Sequence, residues 1–221
     1  MSDFANVHER LDGAAVWVDH IVLAVPDVEE AERRIAEQWN VSPTVGGSHV
    51  GRGTRNVLLS LGSRTYLEVI GPDLDQPDPG SPRPFGVDDI PASSTGVLAG
   101  WALGTDKIAV VADRLAADGL DLGAVSSMSR VRPDGVRLDW HLTLGPRMSP
   151  PIPFVIDWGS TPSPALDSAA GCILEAMNIV APSQAVLSIG ALGLDPLVAL
   201  EGSPGLVVRL STPGGDVELA S

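Results

Sequence analysis

The chain has 221 residues, and its 28 acidic side chains outnumber the 14 lysines and arginines, which gives a formal net charge of −14. A field of that sign repels phosphate backbones and anionic lipid surfaces, so it argues against nucleic acids and membrane surfaces as partners. The hydrophobic share of 44% is typical of a globular protein.

The cysteine content and the N-terminal residues indicate a cytoplasmic location. Cys172 is the single cysteine, which excludes an internal disulfide and is typical of a reducing compartment. Residues 1–13 lack the apolar stretch of a secretory signal. No apolar run approaches the roughly 18 residues that a membrane-spanning helix needs. Cys172 begins an apolar, strand-like run, so we expect it to be a buried structural thiol.

A first module is predicted over residues 15–71. Its opening strand, over 17–25, is rich in β-branched residues and ends at Pro26. Asp27 and Glu30 then have the spacing of a helix capping box. The remaining elements, in chain order, are a helix that buries Val28, Ala31, Ile35 and Trp39, a turn at Gly46-Gly47, and strands over 56–61 and 66–70.

The same order of strand, helix and strands returns twice, which predicts an α+β fold of three βαβββ modules. The second module spans 98–160, so the first two form a domain over 15–160, and a third, partial module spans 172–220. Six prolines within 72–97 predict a stiff, extended linker between the first two modules, rather than a helix or a central strand.

Two segments of the first module carry a resemblance to a known family. Residues 19–28 (DHIVLAVPDV) are similar to the opening strand and helix of vicinal-oxygen-chelate proteins. Residues 46–56 (GGSHVGRGTRN) resemble the glyoxalase-like domains of that superfamily in particular. The shorter segments that share this resemblance are 58–62 (LLSLG), 66–70 (YLEVI), 132–135 (RPDG) and 153–159 (PFVIDWG).

The resemblance implies a fold in which paired modules curl their sheets into an incomplete barrel around a cup. In the metal-dependent members of the superfamily, the ligands come from the first and last strands of the paired modules. The matching positions in this chain are His20 and Glu68. The resemblance leaves the function open, because the superfamily contains isomerases, lyases, ring-cleaving dioxygenases, thiol transferases and metal-free drug-binding proteins.

His20 and Glu68 are therefore the candidate ligands of one divalent metal ion, either Zn, Fe, Mn or Ni. Strand alternation places the His20 side chain on one face and those of its neighbours Asp19 and Ile21 on the other. A carboxylate on the inner face of a half-buried strand is costly unless it is paired or metal-bound. The alternative is that Glu68 faces solvent and His20 is a satisfied core histidine. The candidates for a third ligand are His49, Asp157 and Glu218.

The glycine-rich loop over 46–53 is predicted to border the cup, where its residues would hold a polar substrate. Arg52 is suited to bind a carboxylate or an enolate oxygen through two parallel hydrogen bonds. The alternative is a tight turn with His49 exposed. The tryptophans of the second module are either core residues or an apolar wall for a ligand. The predicted substrate-binding residues are Arg52, Thr54, Asn56, Trp101, Trp140 and Asp157.

The leading functional hypothesis is a metal-dependent lyase or isomerase for a small oxygenated substrate, with a dioxygenase as another option. The metal would stabilise an enolate or oxyanion as a Lewis acid, and Glu68 and His49 are the predicted catalytic side chains. The alternatives are a metal-free protein that sequesters an aromatic or antibiotic-like ligand, and a degenerate scaffold with an association role. Because three modules are an odd number in a fold that works in pairs, a homodimer is also expected.

Overall fold

The computed structural model describes residues 9–120, 122–132, 134–145, 150–194 and 197–221. Residues 1–8 of the predicted polar N-terminus, and Pro133 of the RPDG segment, lie outside these ranges. The helices are α1 (Val28–Trp39), α2 (Ile108–Ala117) and α3 (Ser183–Gly190). The strands are β1 (Glu9–Leu11), β2 (Ala14–Ala24), β3 (Thr44–His49), β4 (Thr54–Ser60), β5 (Tyr66–Pro72), β6 (Val97–Thr105), β7 (Ala124–Val131), β8 (Arg137–Leu144), β9 (Phe154–Asp157), β10 (Ile173–Ala181), β11 (Leu197–Glu201), β12 (Gly205–Thr212) and β13 (Gly215–Ala220).

Eight of the described strands form a closed ring in the order β2-β5-β4-β3-β7-β8-β9-β6, with β6 returning to pair with β2. The first half of the ring consists of β2 to β5 and the second half of β6 to β9. The two halves also meet on the other side, where Ser48 of β3 pairs with Val131 of β7. The prediction of an α+β fold is confirmed. The predicted incomplete barrel is wrong in one respect, because both seams between the halves are joined by strand pairing.

The two halves of the ring have the same topology. In each half the first strand pairs in parallel with the last, β2 with β5 and β6 with β9, and the remaining strands follow as antiparallel neighbours. Residues 172–220 do have the element order of a third module, but β10 pairs in parallel with β11 and antiparallel with β12. A third repeat of the same topology is therefore not found, and this segment forms a separate sheet in the order β11-β10-β12-β13.

Helix α1 follows the local signals of its sequence. The Asp27 carboxylate accepts hydrogen bonds from the backbone N–H groups of Glu29 and Glu30, as an N-cap residue does. The apolar face predicted from the helical period is buried against the ring, with Val28, Ala31, Ile35 and Trp39 as its members.

The ring separates two apolar clusters. The outer one lies between the strands, the three helices and the sheet of residues 172–220, and it includes Ile35, Trp101 and Met177. The inner one surrounds a cavity inside the ring and includes Trp140 and Trp158. Alternation along each strand sends one set of side chains to each cluster.

The proline-rich linker folds over the ring instead of running extended throughout. It contains a 3₁₀ segment, Pro84–Asp89, in which Phe85 has a φ of 60°. Arg83 fixes the segment by pairing with Asp88 at 2.6 Å and by donating from Nε to the carbonyl of Gly53 at 2.7 Å. These contacts bring the Phe85 ring to the cavity, where its centroid lies 5.8 Å from that of Phe154.

In the part of the chain that the structure describes, no helix is long and apolar enough to span a membrane. The cytoplasmic location and the homodimer stay predictions.

Candidate functional site

One cavity inside the ring gathers seven of the residues predicted to form the site, namely His20, His49, Arg52, Thr54, Asn56, Glu68 and Trp140. Its volume of about 100 Å³ is below the roughly 300–1,000 Å³ of typical ligand pockets, so a ligand that it encloses must be small. Most of the polar residues come from β2, β3, β4, β5 and the loop between β3 and β4, whereas β8 and β9 supply an apolar wall. The second half of the ring adds one charged side chain, Arg130 of β7.

Glu68 lies between two imidazoles. Its Oε2 is 3.7 Å from Nε2 of His20, and its Oε1 is 3.7 Å from Nε2 of His49. The register explains the first approach, because His20 pairs with Tyr66 on β5 and Glu68 is two residues further along the same face. The carboxylate is only 7% exposed, so it faces the cavity and its neighbours, not bulk solvent.

The second nitrogen of His20 is held by the residue that precedes it. Nδ1 of His20 lies 2.7 Å from Oδ1 of Asp19. Alternation alone would send these two side chains to opposite faces, and that expectation is wrong here. A bulge on β2 leaves Asp19 without a partner in its pairing with β6, between the pairs Val18–Leu103 and His20–Ala102. Such a bulge re-aims a side chain, and it brings Asp19 to His20.

Asp19 is a fully buried carboxylate, and its partners among the described residues are all N–H groups. Besides His20, the indole Nε1 of Trp158 donates to both of its oxygens at 3.2 Å, and Nε1 of Trp17 donates at 3.1 Å. A carboxylate so placed binds the His20 tautomer that carries hydrogen on Nδ1, because that nitrogen must donate. The lone pair of Nε2 is then directed toward Glu68.

His49 lies at the end of strand β3 and is 9% exposed, so the alternative of a tight turn with an exposed histidine is wrong. Its Nδ1 is 3.0 Å from the Thr54 hydroxyl, and its Nε2 is 3.4 Å from the amide nitrogen of Asn56. Since that amide nitrogen can only donate, Nε2 is the acceptor and Nδ1 carries the hydrogen. Burial lowers the pKa of His49 below its usual value of 6.5, against the opposing effect of the Glu68 carboxylate. His49 is therefore neutral at pH 7.

Asn56 connects the two groups. Its amide nitrogen donates to Oε1 of Glu68 at 2.6 Å while facing His49. Its Oδ1 is buried and has no hydrogen-bond partner among the described residues. The oxygen lies against Gly46, where an added Cβ would come within 2.1 Å of it. Gly46 is the extra residue of a second bulge, on β3, so its lack of a side chain makes room for Asn56.

Two polar residues of the cavity, Arg130 and Tyr66, were not predicted from the sequence. Arg130, on β7, is buried and donates to the Gly46 carbonyl. Burial lowers the pKa of its guanidinium below the usual value. Tyr66 stacks on His20 with ring centroids 4.7 Å apart. Burial, and then the carboxylates of Asp19 and Glu68, raise the pKa of Tyr66 well above 10.0, so its hydroxyl stays protonated.

The opposite wall of the cavity is aromatic. Trp140 and Trp158 pack with centroids 5.2 Å apart, and Phe154 meets the edge of the His20 ring at 5.3 Å. The position of these two tryptophans agrees with the hypothesis that they form an apolar wall for a ligand. Such a wall binds the apolar part of a ligand and removes water from the imidazoles.

Three predicted site residues lie elsewhere. Trp101 is buried in the outer cluster, because it alternates with the inward-facing Ala102 on β6. Asp157 borders a different surface pocket and accepts a hydrogen bond from the backbone of Gly159 at 2.8 Å. Glu218 is exposed on β13 and pairs with Arg209 at 2.8 Å. Neither Asp157 nor Glu218 is therefore a third ligand beside His20 and Glu68.

Two imidazoles and one carboxylate are a donor set that divalent metals use, but their arrangement here does not fit a resident ion. Each imidazole faces a different oxygen of Glu68, and the Asn56 amide nitrogen contacts both Nε2 of His49 and Oε1 of Glu68, so its N–H groups engage acceptor atoms that a cation would need. Among the residues that the structure describes, no group of three or more His, Cys, Asp or Glu side chains could hold a metal ion.

The sequence comparison identifies the family. Residues 18–193 match the model of the glyoxalase-like domain family, which is most of the chain and all of the ring except the first four residues of β2. The chain belongs to the glyoxalase-like domain family. The resemblance found in the β2 and β3–β4 segments is thereby confirmed. No curated protein matches the chain.

Solved structures with this fold include a hypothetical protein from Staphylococcus aureus, with 17% identity and a TM-score of 0.57 over 93% of this chain and 85% of that one. Methylmalonyl-CoA epimerase from Mycobacterium tuberculosis has 16% identity and a TM-score of 0.42, covering 66% of this chain and 89% of the other. A Streptomyces coelicolor methylmalonyl-CoA epimerase variant, in complex with 2-nitronate-propionyl-CoA, has 15% identity and a TM-score of 0.40 over 67% and 98%. At 17% identity the likeness to the Staphylococcus aureus protein concerns the fold alone.

Proposed function

We propose that this glyoxalase-like protein is a lyase or isomerase that removes a proton from carbon beside a carbonyl group of a small oxygenated substrate. The observation that carries the proposal is the position of Glu68, a buried carboxylate between two Nε2 atoms, each 3.7 Å away. Titratable side chains that converge in a mostly apolar cavity are the usual setting of acid–base catalysis.

Glu68 is the proposed base. In the proposed step the C–H bond breaks, the proton goes to a Glu68 oxygen, and the electron pair moves through the carbonyl group to form an enolate. Asn56 orients the carboxylate by its hydrogen bond of 2.6 Å to Oε1, which leaves Oε2 toward the cavity and His20. The neutral hydroxyl of Tyr66 is a donor available to the enolate oxygen.

His20 is the proposed proton carrier, with Asp19 as its positioning residue. Because Asp19 fixes hydrogen on Nδ1, Nε2 accepts the proton from Glu68, and the buried carboxylate stabilises the imidazolium that forms. The proton then returns to another carbon or face of the substrate in an isomerase. In a lyase the enolate electrons expel a group from the β-carbon, and His20 protonates that leaving group.

The proposal is tested by solvent hydrogen exchange. A panel of small ketones and 2-oxo acids is incubated with the protein in D₂O, and loss of the C–H signal is followed by proton NMR. Glu68→Gln keeps the shape of the side chain and removes the base, so exchange should fall by about 10²- to 10⁴-fold. Glu218→Gln is the matched control, because Glu218 is exposed and distant from the cavity. Exchange that survives Glu68→Gln unchanged would contradict the proposal.

Metal content is measured on the same samples, from protein purified without a polyhistidine tag. We expect substoichiometric metal and exchange that survives chelation. One equivalent of a divalent ion that is lost together with activity in Glu68→Gln would instead favour the metal-dependent form of the reaction.

A second candidate function, sequestration of an aromatic ligand without turnover, is favoured by the wall of Trp140, Trp158 and Phe154. The two functions predict different results in two measurements. A binding protein would show tryptophan quenching by aromatic ligands that is insensitive to Glu68→Gln, and no proton exchange with any of them.

A further inference from the structure

Arg130 is a buried cation for which the residues that the structure describes supply no ion pair. Its side chain lines the cavity from β7 and the residue is only 4% exposed. The described residues offer it one hydrogen-bond acceptor, the carbonyl of Gly46. Across the same residues, no carboxylate oxygen lies within 4.0 Å of its guanidinium, whereas seven other arginines form such an ion pair.

Burial of an arginine in this position lowers the stability of the fold unless a ligand supplies the missing hydrogen-bond acceptors. A guanidinium has five N–H donors in one plane, and a buried charge needs a partner at hydrogen-bond distance. The Gly46 carbonyl uses one of these donors, so the others remain for a bound molecule. A planar oxyanion that accepts two parallel hydrogen bonds matches the guanidinium best.

The rest of the cavity defines the body of such a molecule. Besides Arg130, the second half of the ring lines the cavity with apolar and aromatic side chains, of which Trp140, Trp158, Phe154 and Ile156 belong to β8, β9 and the residue that follows β9. Glu68 and the imidazoles come from the first half of the ring. Burial lowers the pKa of Arg130, against the opposing electrostatic effect of Tyr66 and Glu68. The cavity therefore offers one cation and an aromatic wall to the same molecule.

We propose that the ligand of this cavity is a small carboxylic acid with an apolar or aromatic body, whose carboxylate is bound by Arg130. The inference rests on the proposed function for the identity of the ligand as a substrate. It assigns to Arg130 the role of the specificity-determining residue. Arg52, the residue predicted from the sequence for this role, is exposed at the mouth of the cavity, and its Nη2 lies against Sδ of Met128.

The experiment compares two probes of nearly equal shape, phenylacetate and phenylacetamide, of which only the first carries a charge and two acceptor oxygens. Binding is measured by quenching of tryptophan fluorescence, with calorimetry as a second readout. The variants are Arg130→Met, which keeps length and removes charge, and Arg130→Lys, which keeps charge and removes the planar fork. Arg132→Met is the matched control, since Arg132 lies outside the cavity and pairs with Asp134 and Asp167. Circular dichroism checks that each variant is folded.

The wild-type protein should bind the acid roughly ten- to a hundredfold more tightly than the amide, as expected for a charge-assisted pair. Arg130→Met should abolish the preference, Arg130→Lys should retain part of it, and Arg132→Met should leave it unchanged. Equal binding of acid and amide by the wild type overturns the inference, as does no binding of either at millimolar concentration. A preference that is lost in Arg52→Met and kept in Arg130→Met overturns it as well.

Failure of this inference is separable from failure of the proposed function. If ketones exchange protons through Glu68 but the acid is not preferred, the function stands and the assignment of Arg130 falls. If the acid is bound through Arg130 but no compound exchanges protons, the assignment stands and the chain is a carboxylate-binding protein.

Discussion

Asp19 and His20 are consecutive residues of one strand, yet their side chains meet, with Oδ1 of Asp19 2.7 Å from Nδ1 of His20. The bulge at Asp19 makes this contact, and two indole N–H groups complete the coordination of the carboxylate. A histidine oriented by a carboxylate is a recurrent part of acid–base catalysis. Here the pair is built within one dipeptide, not from distant parts of the chain.

We expect Asp19→Asn to weaken both stability and catalysis. Asparagine replaces one acceptor oxygen by an N–H donor, which faces the donors of Trp17, Trp158 and His20. The free energy of unfolding should fall by about 1–3 kcal/mol in urea denaturation, and kcat should fall more than KM changes, because His20 loses its fixed tautomer. Asp157→Asn is the control, since Asp157 lies outside the cavity. Equal effects of the two substitutions would argue against the role of Asp19.

His49 should make the protein sensitive to mild acid. Its pKa is lowered by burial, so between the folded value and about 6.5 the unfolded chain binds a proton that the folded chain does not. The contribution of neutral His49 to the free energy of unfolding is fully present above about pH 6.5. It is lost as the pH falls below that value, by at most about 1.4 kcal/mol per pH unit. The free energy of unfolding of the wild type and of His49→Gln is compared at several pH values from about 7.5 to about 5.5, a range that includes the usual pKa of histidine.

The difference between the two proteins isolates His49, because all other titrating groups are shared. The variant should lose less stability than the wild type on acidification. A wild-type curve that parallels that of His49→Gln would show that His49 does not titrate as inferred.

Gly46→Ala should damage the site although its backbone allows alanine. The new Cβ would lie 2.1 Å from Oδ1 of Asn56, so Asn56 must move and lose its hydrogen bond to Glu68. A crowded core position of this kind costs about 1–3 kcal/mol of unfolding free energy. Gly190→Ala, at the end of α3 with no atom within 4 Å of the added Cβ, should stabilise by up to about 1 kcal/mol. Thermal unfolding of both variants measures the contrast, and a harmless Gly46→Ala would refute the packing argument.

Cys172 should be chemically inert in the folded protein. It is buried, and burial raises the pKa of its thiol, which disfavours the reactive thiolate. A disulfide reagent at pH 8 should therefore react slowly with native protein and rapidly with one thiol per chain after denaturation. Fast labelling of the native protein would mean that the thiol is accessible.

The local parts of the fold and site were predictable because their signals lie within short segments. The capping residue and apolar period of α1 specify that helix wherever it packs, and the family motif places His20 and Glu68 on neighbouring strands. The β3 strand was missed, since its glycines resemble a turn and only pairing with β4 makes Gly46 part of a bulge. The segment after residue 172 has the right element order, but which strands pair depends on contacts that no local pattern encodes.

By itself the sequence determined the family, the α+β class, the two modules of the ring and the residue types that reach the cavity from the first module. Only the tertiary structure decided that Asp19 turns to His20, that Asn56 lies between His49 and Glu68, and that Arg130 enters the cavity from the other half of the ring. The physical reason is that alternation and helical period fix which face a side chain takes within an element. Bulges, ring closure and the pairing of distant strands fix which faces meet. The role of a charged side chain such as Arg130 depends on the groups that these contacts place around it.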